Sequence, residues 1–383
     1  MKIAFWLSIY MILYTYLVYP LLIYLLAKLR KEKNIPSQDY TPAPYSILMA
    51  VYNEEKNINR RIENLLHLDT NEIFHEIIIV SDGSTDNTVN ITRILQNKYP
   101  LIKLIVLNEN IGKAAALNYA INQAKGEVII FADARQEFSK DAITNLIRGF
   151  SAENVGCVSG HLVFKSSDSS NDTSQSIGAY WKYETFIRIN EAKYDSVIGC
   201  PGAIYAVKKH LITAMPAGLI LDDLWIPMGV VLQGSKVKYV QTAVAWDRPE
   251  NTVEKEFRRK VRTLTGNFQL VFFLPKVLSP FHNRLWWMFL SHKIFRLLVP
   301  YAMLAALFSN VVIYSHGAIY KAILFMQVIA YISALIGYVQ VKHALKLKCK
   351  PCNIIYLFVN INLAAALGLY YFLAAKENVL WKK

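Results

Sequence analysis

A carboxylate and a guanidinium follow one of the most apolar runs of this sequence, the residues VIIF at positions 128–131. Asp133 stands at the end of the run, and Arg135 lies two residues further on. Such a pair either marks the point at which a strand emerges into solvent or belongs to a ligand site at the mouth of the strand. The residues around it decide between these alternatives.

Three earlier apolar runs, rich in Ile and Val as buried strands are, also end on polar side chains. In chain order, Asn53 and Glu54 follow residues 46–51, Asp82 follows residues 76–80, and Asn108 follows residues 103–107. In open α/β sheets, ligands bind along the carboxyl ends of the strands. Four strand ends with polar side chains therefore predict one shared cleft.

The segments between these runs have the Ile, Leu and Ala spacing of helices, at residues 54–67, 85–98 and 113–124. Strands that alternate with helices in this way predict a parallel sheet with helices on both faces. The predicted fold class is therefore α/β. No GxGxxG follows a strand, which disfavours a dinucleotide-binding fold, and the lack of HExxH and GxSxG removes the commonest hydrolase signatures.

Charge-free apolar stretches lie near both ends of the chain, at residues 3–27, 297–320, 322–341 and 351–375. A helix needs about 20 apolar residues to cross a bilayer. The composition agrees, with 54% hydrophobic and 18% charged residues. We expect one N-terminal transmembrane anchor, too long for a secretory signal, and about three C-terminal transmembrane helices. A further segment, residues 267–280, is expected to lie flat at the membrane interface.

Basic residues indicate the orientation of these helices. Lys28, Arg30, Lys31 and Lys33 follow the first stretch, and four lysines lie within residues 342–350. Short cytoplasmic loops are enriched in Lys and Arg. We therefore expect a multi-pass protein of the cytoplasmic (inner) membrane, with its catalytic domain in the cytoplasm and residues 316–321 outside.

The formal net charge of +14 points to an anionic partner. We assign it to contacts with membrane lipids, because much of it flanks the apolar stretches. A nucleic-acid partner is not expected, since no base-binding module is recognisable.

Four cysteines are too few for a disulfide scaffold. Cys349 and Cys352 form a CxxC in a basic loop, without a second pair or nearby histidines. We expect neither a zinc site nor any other function for them.

Five motifs occur in an order and spacing that resembles the membrane-bound family 2 glycosyltransferases. They are AVYNEEKNI, IIIVSDGSTDNT, NIGKAAALNYAI, IIFADA and LDDL, and the resemblance covers roughly residues 44–270. Processive members with this layout make polysaccharides such as cellulose, hyaluronan or poly-N-acetylglucosamine. The resemblance implies a glycosyltransferase A-type nucleotide-sugar-binding domain with a mostly parallel sheet.

This resemblance implies donor-binding roles for residues at the strand ends. Val51, Asn53, Glu54 and Asp82 would hold the base and ribose, and Lys113 would present a cation to the nucleotide. Asp82 could instead cap an Asp-Gly turn. Lys113 could equally be a solvated lysine in the first turn of a helix.

The resemblance assigns the chemistry to acidic residues. Asp133 corresponds to the first acid of a DxD metal motif, where Mg²⁺ or Mn²⁺ would bind the diphosphate of the donor. Asp223 would deprotonate the acceptor hydroxyl, with Asp222 as a neighbour that raises its pKa. Arg135 stands where a second metal-binding acid is common, and we expect it to contact the diphosphate or to pair with a nearby acid.

Later residues complete the implied site. Gly202 lies in the loop GCPG, which would shape the acceptor site. Processive synthases carry QxxRW, and Arg259, Arg262 and Thr263 stand here where Gln, Arg and Trp would be. Both arginines are expected to bind substrate, Arg262 through the diphosphate. The missing tryptophan leaves processivity open.

The implied enzyme is an inverting hexosyltransferase. It would move a sugar from a nucleotide-diphosphate sugar, with a UDP-sugar expected, to a glycan or lipid-linked acceptor in exopolysaccharide or cell-surface glycan synthesis. Two alternatives stay open: a single-sugar transferase to a lipid carrier, and a nucleotide-binding pseudoenzyme that regulates a partner synthase. An accessory synthase subunit is a further candidate partner.

Four regions are expected along the chain. Residues 1–29 would form the anchor, residues 30–150 the nucleotide-sugar-binding half of the domain, residues 151–275 the acceptor and catalytic half with the interface segment, and residues 276–383 the C-terminal membrane region.

Overall fold

A computed structural model describes residues 1–30, 43–70, 75–164, 172–247, 253–343 and 349–374. Within these ranges, the fold consists of an eight-stranded sheet with flanking helices and of four long apolar helices. The basic residues Lys31 and Lys33 and most of the basic loop at 342–350 lie outside the described residues.

The sheet has two halves that differ in strand direction. In chain order its strands are β1 Tyr45–Val51, β2 His75–Asp82, β3 Ile102–Leu107, β4 Val128–Ala132, β5 Glu137–Phe138, β6 Val155–Phe164, β7 Ile204–Lys208 and β8 Lys236–Asp247. Their spatial order is β3-β2-β1-β4-β7-β6-β8-β5. Strands β1 to β4 pair in parallel, whereas β7 runs antiparallel to both β4 and β6.

The strands of the parallel half are as deeply buried as their apolar sequences predict. Every residue of β1 and β4 is buried, because helices cover both faces of a parallel sheet and leave no place for alternating polar side chains. The predicted α/β fold with a mostly parallel sheet is confirmed, and all four predicted strands are present.

The helices in chain order are α1 Lys2–Leu29, α2 Ile58–Leu66, α3 Thr88–Lys98, α4 Lys113–Gln123, α5 Ala142–Arg148, α6 Asp172–Tyr194, α7 Asp222–Leu232, α8 Val253–Phe273, α9 Trp286–His316, α10 Ala318–Lys342 and α11 Lys350–Leu373. Helices α2 and α3 begin three to four residues later than predicted. Instead, the residues just before α2 form hydrogen bonds with the residues at the start of α3. The backbone N–H of Glu54 donates to Thr88 Oγ1 at 2.7 Å, and that of Glu55 donates to Asp86 Oδ2 at 3.1 Å.

Helices α1, α9, α10 and α11 are each long and apolar enough to cross a membrane, which confirms one N-terminal and three C-terminal spans. The loop predicted at residues 316–321 was wrong in its extent. Helix α9 runs to His316 and α10 begins at Ala318, so that the turn is confined to Gly317. The lack of charges could not locate this turn in the sequence, because Ile319 and Tyr320 after it are as apolar as the helices on either side.

Helix α8 joins the sheet domain to the membrane helices. Thr265 Oγ1 donates to the carbonyl oxygen of Gly368 in α11 at 3.3 Å. A Cβ atom at Gly368 would lie 3.1 Å from Thr265 N, so the two backbones touch. At the end of α8, Phe272 is mostly exposed, as expected for a residue that faces the membrane interface.

The expectation that Cys349 and Cys352 do nothing was wrong. They form a disulfide at the first turn of α11, and Cys349 Sγ also accepts a hydrogen bond from the backbone N–H of Cys352. Residues three apart on a helix lie on the same face, so that the start of α11 brings the two sulfurs together. The sequence shows the spacing but not the helix end.

The close approach of Gly126 to β1 gives a test of the fold. A Cβ atom at this position would lie 2.4 Å from Ser46 N. Gly126→Ala should lower the free energy of unfolding by at least the 1–3 kcal/mol typical of overpacking, because the obstacle is strand backbone. The measurement is thermal unfolding of the full chain in detergent.

Gly178→Ala is the matched control, because nothing lies within 4 Å of a Cβ atom there. Gly178 lies inside helix α6, where alanine should stabilise by about 0.5–1 kcal/mol. Equal melting temperatures for the two variants would contradict the packing of Gly126 against β1.

Candidate active site

A cavity of about 370 Å³ lies where the sheet domain meets the membrane helices. It brings together eight of the residues predicted for the site: Lys113, Asp133, Arg135, Gly202, Asp222, Asp223, Arg259 and Arg262. They come from five separate segments of the chain. Only the tertiary fold makes them neighbours.

Lys113 connects the two acidic parts of the cavity. Its Nζ lies 3.0 Å from Asp133 Oδ1 and 3.1 Å from Asp222 Oδ1, and its side chain is 16% exposed. Burial opposes the charge of this lysine. The carboxylates of Asp133, Asp222 and Asp223 outweigh burial and hold the pKa of Lys113 above its usual range. Lys113 is therefore a fixed cation in the site, and not a solvated surface lysine.

Asp82 holds the segment that places Lys113. Its Oδ1 accepts from the N–H of Ile111 at 2.8 Å and its Oδ2 accepts from that of Gly112 at 3.0 Å. Gly112 has φ 93°, a conformation that glycine adopts readily, and α4 begins at the next residue. The Asp82 side chain is fully buried, so that in this structure it positions the loop.

The other predicted donor residues lie at the carboxyl end of β1, outside the cavity lining. Val51 is fully buried in the core, which leaves only its backbone for a ligand. Asn53 has φ 54°, and its Oδ1 accepts from Thr85 N at 2.8 Å. Glu54 accepts a hydrogen bond from Asn57 Nδ2 at 2.7 Å. These contacts hold the loops after β1 and β2 together beside the cavity.

The acidic pair begins helix α7. Asp222 is buried, and Tyr205 on β7 donates its hydroxyl to Asp222 Oδ2 at 3.1 Å. Asp223 points toward Gly202, where a Cβ atom would lie 3.1 Å from Asp223 Oδ2. Burial, and then the charge of Asp222, raises the pKa of Asp223 to about 7. A carboxyl group with this pKa can take up a proton near neutral pH.

The comparisons with known proteins agree with this geometry. Residues 46–212 match the family model described as glycosyl transferase family 2. This chain carries a family 2 glycosyltransferase domain. The matched segment contains β1 to β7 and includes Asp82, Lys113 and Asp133.

Two curated relatives share this domain. A poly-beta-1,6-N-acetyl-D-glucosamine synthase of Staphylococcus aureus is 27% identical over 230 residues, which are 59% of this chain and 55% of the synthase. The probable glycosyltransferase YdaM of Bacillus subtilis is 25% identical over 254 residues, which are 63% of this chain and 60% of that protein. The matches thus span little more than half the length of either relative.

One solved structure matches over nearly the whole chain. The mannosyltransferase PcManGT from Pyrobaculum calidifontis, in complex with GDP-Man and Mn²⁺, superposes with a TM-score of 0.72 at 20% identity. The match covers 97% of this chain and 99% of that one. It shows that the glycosyltransferase A-type domain and the membrane helices share one architecture in the two proteins.

Arg135 of this glycosyltransferase domain pairs with an acid, which was one of its two expected roles. Its guanidinium donates to Asp247 Oδ2 at 2.7 Å, and Gln136 Nε2 donates to the same oxygen at 3.0 Å. Asp247 ends β8 and is almost completely buried. Asp247 was not among the predicted site residues, although an acid at the end of a strand is the same signal that marked Asp133.

The residues present fit a divalent cation bound with substrate. Asp133 has a side chain that is 33% exposed to the cavity. Among the described residues, no group of three His, Cys, Asp or Glu side chains could hold a metal by itself. Mg²⁺ takes one or two protein carboxylates and completes its shell with phosphate oxygens and water. Asp133 would therefore hold the ion together with the diphosphate.

Several cavity residues gave no recognisable signal in the sequence. They lie on α6 and α9 and comprise Glu184, Arg188, His292, Lys293 and Arg296. Helix α9 begins at Trp286, before the charge-free stretch that starts at residue 297. Its first turns contain charged residues and were therefore not recognised as part of a membrane helix. A polar residue that faces the inside of a helix bundle is read correctly only when the neighbouring helices are placed.

The pair of Arg135 and Asp247 predicts a loss of stability on truncation. Arg135→Ala removes the charged partner of a carboxylate that is 1% exposed. A buried charged acceptor that loses a partner costs about 1–3 kcal/mol, and the variant should melt at a lower temperature than the parent.

Lys140→Ala is the control, since its ion pair with Asp69 is mostly exposed and such pairs contribute at most about 1 kcal/mol. If Arg135→Ala melts like the parent and loses only donor affinity, the arginine serves the diphosphate instead of Asp247.

Proposed function

We propose that this protein transfers a sugar from a nucleotide-diphosphate sugar to a hydroxyl group of a glycan or lipid-linked acceptor, with inversion at the anomeric carbon. The observation that carries the proposal is the position of Asp223. This carboxyl group has a pKa of about 7 and lines the same cavity as Asp133 and Lys113. An acceptor in this cavity would meet a base, and the donor diphosphate would meet cations.

The carboxylate of Asp223 would take the proton of the acceptor hydroxyl. The acceptor oxygen would then form a bond to the anomeric carbon while the bond to the diphosphate breaks, and the nucleoside diphosphate leaves with the electron pair. One such displacement inverts the anomeric configuration. A positioned base contributes typically 10²–10⁴-fold to the rate.

Lys113 would neutralise part of the negative charge that Asp133, Asp222 and Asp223 bring into the cavity. Without its charge, Asp133 and Asp222 would repel each other and the leaving diphosphate. Held at Asp133, Mg²⁺ or Mn²⁺ would supply positive charge to the diphosphate. Arg262 would bind the same group, since a guanidinium is permanently charged and bidentate.

A carboxyl group with a pKa near neutrality in this cavity favours an enzyme over a pseudoenzyme that only binds nucleotide. Perturbed pKa values cluster at catalytic sites. The relation to a poly-N-acetylglucosamine synthase supports a role in the synthesis of exopolysaccharide or another cell-surface glycan. The donor is expected to be a UDP-sugar, and a GDP-sugar is the alternative to test beside it.

The base assignment is tested by Asp223→Asn. Nucleotide release from a panel of nucleotide sugars, in Mn²⁺ or Mg²⁺, should fall about 10²–10⁴-fold, because the amide cannot accept the proton. Binding of UDP or GDP should be retained. Near-normal turnover would place the base elsewhere.

The parent enzyme supplies the matching pH control. Only deprotonated Asp223 accepts a proton, so that kcat/KM should rise with pH up to about 7 and fall tenfold per unit below it. A profile that stays flat between pH 5 and 8 would contradict a base with this pKa.

We further propose that the domain lies on the cytoplasmic face of the inner membrane, as the basic residues Lys28 and Arg30 after α1 favour. In a variant without native cysteines, Ser315→Cys in the exposed last turn of α9 should react with an impermeant thiol reagent on intact cells. Lys140→Cys, on the exposed surface of the domain, should react only after lysis. The reverse pattern would place the active site outside.

A further inference from the structure

The cavity has a membrane end, which we define by Tyr16 of α1, Lys293 of α9, and Ile361 and Ala365 of α11, all of which line it. Three helices long enough to span a bilayer therefore form part of its wall. The opposite end carries the acids Asp133, Asp222 and Asp223. A molecule could enter from the membrane and reach the catalytic base within one continuous space.

The carboxylates near the membrane end are already committed to partners. Glu184 accepts from Arg296 and lies 3.2 Å from His292 Nε2. Burial raises the pKa of Glu184, but Arg296, His292 and Lys293 outweigh it and hold that pKa well below its usual range. Glu191 accepts from the hydroxyl of Tyr19 at 2.6 Å and lies 2.7 Å from His292 Nδ1. Both acids therefore have their hydrogen bonds taken up, and both also lie within electrostatic reach of Lys293.

Two cations at this end lack such a partner. Among the described residues, no carboxylate oxygen lies within 4.0 Å of the charged nitrogens of Arg188 or Lys293, and Arg188 Nε is buried without a hydrogen-bond partner. Arg188, Lys293 and Arg296 outnumber the acids Glu184 and Glu191 at this end, and positive charge withdrawn from water without a full counter-charge is costly. An anion between Arg188 and Lys293 would remove this cost.

The backbone around Lys293 is also unusual. The residue lies in a π-helical turn, Leu290–Ile294, inside α9. Such turns are rare and are frequent at functional sites. An ionisable residue within a membrane-spanning helix is expected to serve a function.

The anion is distinct from the donor diphosphate. The diphosphate is expected beside Asp133 and Lys113, at the end of the cavity that carries the acids. Arg188 lies within electrostatic reach of the base, because its charge lowers the pKa of Asp223. Arg188 and Asp223 line the same cavity, so that an anion held by Arg188 could belong to the molecule whose hydroxyl reaches Asp223.

The base indicates which part of the acceptor reacts. A phosphate is already deprotonated at neutral pH and needs no base to act as a nucleophile. Asp223 is therefore suited to a sugar hydroxyl, and the anion at Arg188 belongs to a part of the acceptor that does not react.

We propose that Arg188 and Lys293 bind the phosphate that links a membrane lipid to a sugar acceptor, whose hydroxyl then reaches Asp223. This inference rests on the proposed function for the sugar hydroxyl alone. The phosphate site can be measured without turnover. Lysine and arginine both form charge-assisted hydrogen bonds to phosphate.

The test uses the full chain in detergent and measures binding of farnesyl phosphate, with farnesol as the uncharged analogue. The parent should bind farnesyl phosphate at least tenfold more tightly than farnesol. Arg188→Gln and Lys293→Gln should each lose about tenfold in affinity for farnesyl phosphate and little for farnesol. Lys182→Gln is the control, because Lys182 lies on the same helix α6 with an exposed side chain outside the cavity.

Binding of UDP and GDP to the same variants separates the two phosphate sites. Unchanged nucleotide affinity, together with lost farnesyl phosphate affinity, supports the proposal. An equal loss of nucleotide affinity would assign the two cations to the donor and overturn it. If the parent binds neither nucleotide, the proposed function fails while the farnesyl phosphate result still stands.

Two further ligands identify the source of the phosphate. Inorganic phosphate should compete only weakly, since it lacks the lipid chain. Nanodiscs that contain phosphatidylglycerol should not compete with farnesyl phosphate. Competition by phosphatidylglycerol that disappears in both variants would assign the site to a structural phospholipid headgroup and would overturn the acceptor role.

Discussion

The ammonium group of Lys113 lies between carboxylates that belong to separate parts of the domain. Asp133 ends a strand of the parallel half, whereas Asp222 begins a helix after the antiparallel strands. Two like charges about 4 Å apart repel by about 4 kcal/mol at the effective dielectric constant of a protein surface. The lysine turns this repulsion into attraction, and the two halves can then share one cavity.

Contacts outside the cavity fix the position of that ammonium group. Asp82 binds the two backbone N–H groups that precede Lys113, and the loops after β1 and β2 bond to each other. A donor that binds over these loops would therefore contact a surface connected to Lys113. This gives a physical reason why the family motifs at four strand ends occur together, since each fixes the backbone that the next one needs.

The membrane helices form the wall of the candidate active site together with the sheet domain. Tyr19 of α1, Glu191 of α6 and His292 of α9 form one buried hydrogen-bonded chain. Buried polar networks of this kind stabilise one arrangement only when every member has a partner. The wall of the cavity is therefore set by contacts between the anchor and the C-terminal helices. Activity measured on the sheet domain alone would not represent this site.

Local patterns were enough to predict much of this protein. Runs of Ile and Val fixed β1 to β4 within one or two residues, because strands buried on both faces have no polar alternation to obscure them. Charge-free stretches identified four membrane helices, because a bilayer tolerates little else. The strand ends pointed to Asp133, since it follows a buried strand, whereas Asp222 and Asp223 were predicted only from the resemblance of LDDL to a family motif.

The partner of each charge was decided by the tertiary structure alone. Arg135 pairs with Asp247, which lies 112 residues away, and Asp82 turned out to hold a loop. Arg188 and Lys293 share a cavity although their helices are far apart in the chain. A sequence specifies which residues carry charge, and its periodicity specifies which local face they occupy. The distance between two charges, and hence their pKa values and their partners, depends on how separate elements pack, and no local pattern encodes that distance.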